Sequence, residues 1–415
     1  MNSHLQLCEF IRRMLPAIPT HFKNRSNMNI PILGNISVEE FLRDYWQKKP
    51  LLIRQAIPDF VSPVDGDELA GLSLESEVES RIILEHGDEP WELHHGPFTE
   101  QTYAELPESH WTLLVQAVDQ FVPEVADYLK DFEFLPRWRI DDLMISYATP
   151  GGGVGPHFDN YDVFLLQAEG RREWKVGQLC DSNSPLLPHP DLRILDGFDT
   201  SDSWVLEPGD MLYLPPRLAH WGTALDNCMT WSIGFRAPST AEVITHYTDF
   251  VARFLTSEDR YGDAGMTPLQ DPNEIRREDI ERVRQLLREQ LDDDNLLLSW
   301  FGQHMTEPRY PEFLQGHELG ESTLVEFLQD GGALVRSPAA RLAWSQLELD
   351  GEPAILLFSC GSSRPFPEHL VGFIQYLCSQ DLLTMDNLQP WLDRDEAVTL
   401  LCELVKQGSL ECMDE

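Results

Sequence analysis

The 415-residue chain is poor in positive charge: 31 Lys and Arg stand against 70 Asp and Glu, a formal net charge of −39. A surface so acidic repels nucleic-acid phosphates and anionic lipids, and it favours basic partners. No run of 18 apolar residues occurs, which excludes a membrane-spanning helix. The seven cysteines (Cys8, Cys180, Cys228, Cys360, Cys378, Cys402 and Cys412) are scattered, odd in number and free of any C-x-x-C pair. That pattern excludes a disulfide scaffold and a cysteine-based zinc site, and it implies a reducing, cytoplasmic setting. Internal repeats and low-complexity tracts are missing too. What is present is 42% hydrophobic and 10% aromatic residues, enough for a sizeable core, in a chain long enough for two or three domains.

The first 30 residues run against the general charge, with Arg12, Arg13, Lys23 and Arg25 beside a single Glu9, and Pro16 and Pro19 break their apolar stretch. They lack a signal-peptide core, and a start near Met28 is the simpler expectation. Ser37-Val38-Glu39-Glu40 has the capping-box pattern, with Val38, Phe41, Leu42 and Tyr45 as one helical face stopped by Pro50. "PLLIRQAI" reads as a buried strand. From residue 72 to about 236 short strand-like runs follow one another: "SRIILEH", "LMISYA", "DVFLLQA", "REWKVG", "SWVLEPGDMLYLP" and "MTWSIGF". Only Trp111 to Lys130 shows helical spacing. Many short strands at this interval predict a sandwich or barrel.

After Pro238 the texture changes. Ser239 to Glu242 is a second capping box, with Val243, Tyr247, Phe250, Val251 and Phe254 on one face. Residues 274–291 repeat the pattern with Ile280, Val283, Leu287 and Leu291 between charged residues. Two striped helices without a strand predict an arm that packs on something, such as a second copy. From about 306 a small α+β pattern begins: a helix at 322–330, strands around a strong Asp350-Gly351 hairpin signal, then two helices.

Chemistry concentrates in "GPHFDNYD", where His157 and Asp159 are separated by one residue after a Gly-rich lead-in. On a strand they would share one face. Further on, Pro208-Gly209-Asp210 makes a turn, "MLYLP" a buried strand, and Pro215-Pro216 ends it, so that the next loop brings His220 back over the sheet's mouth. Two imidazoles and one carboxylate make the facial triad of non-haem Fe(II) oxygenases, whose open positions admit a chelating 2-oxo acid and O2. A dicarboxylic 2-oxo acid also needs a buried cation for its distal carboxylate. Arg171 and Arg172 point to opposite faces of a strand, and Arg172 shares parity with Trp174, so Arg172 is the inward one. Ser146 offers a hydroxyl to the same carboxylate. His189 and the pair His94-His95 stand as alternative ligands to His220. Taken singly, each of these residues reads as ordinary polar surface. The order Gly-rich lead-in, H-x-D, apolar strand, Gly-Arg-Arg, Pro-Gly-Asp strand and His does not.

The stretches "RWRIDDLMISYATPGGGVGPHFDNYDVFLLQAEGRREWKVG", "LEPGDMLYLPPRLAHWG" and "YWQKKPLLI" resemble the JmjC-type 2-oxoglutarate oxygenases of the cupin superfamily, and within them the bacterial ribosomal oxygenases. The likeness runs from about residue 30 to the end of the chain. It implies a double-stranded β-helix (a JmjC/cupin jelly roll) over 31–238, a helical dimerisation region over 239–305 and a winged-helix-like domain over 306–415, with 1–30 as an extension. It implies His157, Asp159 and His220 as Fe(II) ligands, and Ser146 and Arg172 as the grip on 2-oxoglutarate. The implied reaction is hydroxylation, with O2, of an arginine side chain at C3 on a basic large-subunit ribosomal protein, the one numbered sixteen. The implied helical region makes the enzyme a homodimer. Winged-helix likeness usually suggests DNA binding, but the acidic balance speaks against a nucleic-acid or membrane partner, and the cysteine pattern points to the cytoplasm. Many JmjC enzymes carry Lys where Arg172 stands, so this chain departs from the wider family and agrees with the ribosomal branch. Alternative readings are a histidyl hydroxylase of another ribosomal protein, a methyl-lysine demethylase, a cupin isomerase or dioxygenase working without a 2-oxo acid, and a non-catalytic metal-binding cupin that binds a protein partner. The isomerase usually shows H-x-H with a following Glu, whereas here the second residue is Asp159 and positions 163 and 164 are Val and Phe.

Overall fold

A computed structural model describes residues 32–86 and 90–413. The first 31 residues, with the expected extension and Cys8, lie outside it. Residues up to Ala237 form one compact unit and Pro238–Glu415 a second.

In the first unit the period-two runs become β1 (Leu51–Ile53), β2 (Ser80–His86), β3 (Pro90–His95), β4 (Trp111–Val115), β5 (Ile140–Ala148), β6 (Val163–Glu169), β7 (Arg172–Leu179), β8 (Asp202–Leu206), β9 (Met211–Leu214), β10 (Leu218–Ala224) and β11 (Cys228–Phe235). Eight of them make an antiparallel sheet in the order β1-β9-β6-β11-β5-β4-β2-β3, and β10-β7-β8 make a smaller one. The two sheets face each other as a double-stranded β-helix. Strand β6 is buried on both faces because each meets a layer of its own. Val163 and Leu165 point between the sheets and pack with Leu212 and Leu214 against Trp174, Val176, Leu206 and Leu218. Phe164 points outward into a layer of rings. There the helix Val38–Asp44 lays Phe41 over Phe164 and Tyr213, with centroids 5.7 and 5.0 Å away. Ser37 caps that helix by accepting the Glu40 N–H at 3.1 Å. Only Phe41 of the expected apolar face is buried; Val38 and Leu42 are exposed.

Two further expectations need correction, and one is made definite. Trp111–Val115 is a strand, because each of its alternate residues finds a partner on β2 and β5; only beyond it does the chain turn into short helices. The turn after the two prolines does bring His220 back, and it does so on a strand: β10 starts at Leu218 and His220 sits within it. His157 and Asp159 do not lie on a strand. His157 makes a single bridge to His220, with N–H···O bonds of 3.0 and 2.9 Å, and the chain then leaves the ladder.

In the second unit the expected helix after Ser239 runs Thr240–Ala252 with its capping box formed, and buries Tyr247, Phe250 and Val251, but not Phe254. A second helix runs Arg277–Leu291 and buries none of its residues. A third, Asp294–Thr306, was not anticipated; it packs Trp300 on Tyr247 and also contacts the sheet that follows. That part holds β12 (Ala333–Arg336), β13 (Leu342–Leu349), β14 (Glu352–Ser359), β15 (Ser362–Pro367), β16 (Leu382–Thr384) and β17 (Leu410–Met413) in two small sheets, β16-β12-β17 and β13-β14-β15. The helices Glu321–Gln329, Val371–Ser379 and Asp395–Lys406 cover an apolar core shared with both. Asp350 and Gly351 turn the β13–β14 hairpin with φ of +52° and +83°, as their sequence foretold. Among the described residues no helix is long and apolar enough to cross a membrane, and the six cysteines are free.

Candidate metal centre

The expected triad assembles. One ligand atom each of His157, Asp159 and His220 lie within 4.8 Å of one another, and no other such group of three occurs among the described residues. The His157–His220 bridge sets the imidazole rings at a centroid distance of 4.2 Å. Their tautomers are fixed by backbone. His157 Nδ1 donates to the Gly155 carbonyl at 2.9 Å, and His220 Nδ1 donates to the Leu218 carbonyl at 2.9 Å. Each Nε2 therefore keeps its lone pair for the shared space. Burial, and next to it His157, push the His220 pKa down to about 4, against the pull of Asp159 and the Leu218 carbonyl. A neutral imidazole is the form a metal needs. The Asp159 carboxylate lies 3.6 Å from His220 Nε2, while its main-chain carbonyl accepts the Arg217 N–H at 2.6 Å, which holds the loop against the start of β10.

Arg172 and Ser146 meet between β7 and β5. On β7 the residues Arg172, Trp174 and Val176 are 4, 5 and 1% exposed, as alternation requires of an inward face, while Arg171 turns out to Asp226. Gly222 stands opposite Trp174, and a Cβ there would come within 2.7–2.9 Å of the indole ring; glycine gives Trp174 room to lie as a floor beside His220. Arg172 donates from Nη1 to Ser146 Oγ at 3.3 Å, and Ser146 in turn donates to the Thr230 carbonyl at 3.3 Å. Arg172 Nε and Nη2 have no partner although they are buried. Two unpartnered guanidinium nitrogens in the barrel interior are costly unless an anion with paired oxygens meets them.

Sequence reasoning missed the polar chain that continues this line. Thr230 donates to Gln167 Oε1 at 3.1 Å, and both residues are fully buried. The signal was a glutamine inside the otherwise apolar "DVFLLQA". It also missed Asp162, which is fully buried and accepts from Tyr213 Oη at 2.7 Å and Gln47 Nε2 at 3.0 Å, tying the far end of the ligand loop to β9. The alternative ligands do not reach the centre. His94 turns to Glu92 at 3.0 Å, and both ring nitrogens of His189 are engaged by backbone.

The JmjC domain family matches residues 127–243, and the ROXA-like winged helix matches 289–411. The ribosomal protein uL16 3-hydroxylase of Escherichia coli is 36% identical over 371 residues, covering 89% of this chain and 96% of its own. The chain belongs to the JmjC ribosomal oxygenases. Among solved structures of these oxygenases, Escherichia coli YcfD superposes with a TM-score of 0.81 at 34% identity, covering 91% of this chain and 99% of its own. YcfD in complex with cobalt and 2-oxoglutarate gives 0.78 at 33% identity over 92% and 99%. The double-stranded β-helix and the winged helix are thus those of the ribosomal oxygenase family.

Proposed function

We propose that this chain is an Fe(II)- and 2-oxoglutarate-dependent oxygenase that hydroxylates an arginine side chain at C3 in a basic large-subunit ribosomal protein, with uL16 as the first protein to test. The observation that carries the reading is the pairing of one His/Asp/His group with a buried guanidinium that has two nitrogens, Nε and Nη2, without a partner. The donor set fits Fe(II): two neutral imidazole nitrogens and one carboxylate oxygen are the ligand types of a non-haem Fe(II) oxygenase centre, and His157, Asp159 and His220 would supply them. Fe(II) with 2-oxoglutarate and O2 supplies the oxidising power that inserts one oxygen atom into an unactivated C–H bond, releasing succinate and CO2.

The protein's own residues bind and orient. His157, Asp159 and His220 hold the ion, with backbone carbonyls fixing both tautomers. Arg172 takes the distal carboxylate of 2-oxoglutarate through Nε and Nη2. Ser146 assists by turning its hydroxyl from the Thr230 carbonyl toward the incoming oxygen. Trp174 and the apolar layer under it keep water from the buried end. The remaining roles extend the same reading: the catalytic domain occupies 31–238, the helical region 239–305 joins two copies, and 306–415 is the winged helix, in a cytoplasmic homodimer with no nucleic-acid or membrane partner. Exposed Ile280, Val283, Leu286, Leu287 and Leu291 on the helix Arg277–Leu291 support the pairing of two copies, because a stripe of that length is costly in water.

The test is mass spectrometry of ribosomal proteins from cells with and without the protein, seeking the mass of one added oxygen on an arginine-containing peptide. Asp159→Ala should abolish the modification and the release of succinate while leaving the far-UV spectrum unchanged. An unmodified ribosome together with no succinate from 2-oxoglutarate and Fe(II) rejects the reading, and full activity in Asp159→Ala rejects the ligand set.

A further inference from the structure

His189 lies outside the metal centre, yet its two ring nitrogens hold together the structures that wall one ligand. Nε2 donates to the Trp91 carbonyl at 2.9 Å, and Nδ1 accepts the N–H groups of Asp191 at 3.1 Å and Leu192 at 2.8 Å. The first bond reaches across 98 residues to β3, where Trp91 has a φ of +64°, a conformation that a bulky residue keeps only when its surroundings impose it. The other two bonds close the tip of a hairpin whose arms are joined by the Leu186–Leu195 bridge and by Leu187 N–H to the Ile194 carbonyl at 2.8 Å.

Both partners of His189 converge on the segment Gly155-Pro156-His157. A Cβ at Gly155 would stand 3.3 Å from Ile194 of the hairpin and 3.3 Å from the Trp91 ring, and Gly155 itself has a φ of +78°. The hairpin's Leu195 N–H donates to the Pro156 carbonyl at 2.8 Å. Gly155 is also the residue whose carbonyl receives His157 Nδ1–H. On one side, then, His157 is registered by β10; on the other its two preceding residues are clamped by Trp91 and the hairpin. Trp91 and Ile194 belong to one apolar cluster with Val154, Leu192, Met144 and Trp221.

We infer that His189 is a positioning residue for the His157 arm of the metal centre, acting as the latch that fastens the 186–195 hairpin to Trp91 and so fixes Gly155-Pro156-His157. The inference rests on the reading of His157, Asp159 and His220 as metal ligands. A single imidazole performs both tasks from opposite sides of one ring, Nε2 as donor to Trp91 and Nδ1 as acceptor from the hairpin; a lysine, which has no acceptor, cannot do this. Losing it frees the hairpin tip and Trp91 together. The Gly155 carbonyl then drifts, and the Nε2 lone pair of His157 loses its aim.

The experiment titrates Co(II) into the metal-free full-length protein and follows its visible absorption. His189→Ala should weaken Co(II) by about tenfold, the lower end of the effect of an outer-shell partner. His189→Asn should fall between, because its Oδ1 can still accept the Asp191 and Leu192 N–H groups while the side chain is too short to reach Trp91. In the metal-free protein, amide exchange of Leu195 and His157 should quicken in His189→Ala more than exchange on β6 and β11. A role confined to stability would lower the unfolding temperature and leave Co(II) affinity and those local exchange rates as in the wild type; that result overturns the inference. Asp159→Ala separates the two layers of the argument. If it retains Co(II) binding, the ligand reading fails; if it loses binding while both His189 variants keep it, the latch alone fails.

Discussion

At the scale of single residues, the site is organised by which atoms are left without a partner. His157 and His220 each give their Nδ1 proton to a carbonyl two residues earlier in the chain, so the unused atom is Nε2 in both. Arg172 gives one N–H to Ser146 and keeps Nε and Nη2 free. Arg172→Met should therefore weaken 2-oxoglutarate by roughly 30-fold or more, since truncating one side of a buried charged pair costs about 2–5 kcal/mol. Binding of 2-oxobutyrate, which lacks the distal carboxylate, should change little, and calorimetry of both ligands with Co(II)-loaded protein decides it. An equal loss for both would place Arg172 elsewhere in the mechanism. This much was legible in the sequence, because H-x-D, the later His and the parity of Arg172 with Trp174 are local patterns. The Thr230–Gln167 chain and the Asp162–Tyr213 bond were not, since each joins residues 63 and 51 positions apart on strands whose pairing no local pattern reveals.

At the scale of elements, the strands were readable where alternation was clean and lost where packing forced an odd residue into the pattern. Leu218–Ala224 escaped notice because Gly222 interrupts it and two prolines precede it. That glycine is there for the Trp174 ring across the ladder, a demand that exists only once β7 and β10 are paired. His157 and Asp159 were expected on a strand and instead occupy a loop that touches the ladder at one bridge, which lets the carboxylate swing toward both imidazoles. The helix Arg277–Leu291 was predicted from its stripe, and its exposed apolar face gives a direct test. Leu287→Glu should convert the protein from dimer to monomer in sedimentation while Co(II) binding stays at the wild-type value. A wild type that sediments as a monomer at micromolar concentration rules out pairing through this face.

At the scale of the whole molecule, the dominant property is the net charge of −39. Such a field speeds encounter with a basic ribosomal protein, and the effect is screened once ionic strength shortens the Debye length to about 10 Å near 0.1 M. The kcat/KM for a basic ribosomal protein should fall steeply from low salt to physiological salt, with kcat nearly constant. A short arginine peptide of neutral net charge should show a much flatter profile. Equal salt profiles for the two substrates would remove electrostatic steering from the account. Charge, the barrel class, the first helix of the arm, the H-x-D pair and the inward parity of Arg172 were legible in the sequence alone, because each depends on composition or on spacing within one segment. The tertiary structure alone decided which of several histidines are near one another, which N–H groups of Arg172 stay unpaired, and that His189, on paper another ligand, spends both nitrogens on backbone. Those outcomes depend on the register between strands and on loops folding back over them, and register is set by packing across the whole barrel.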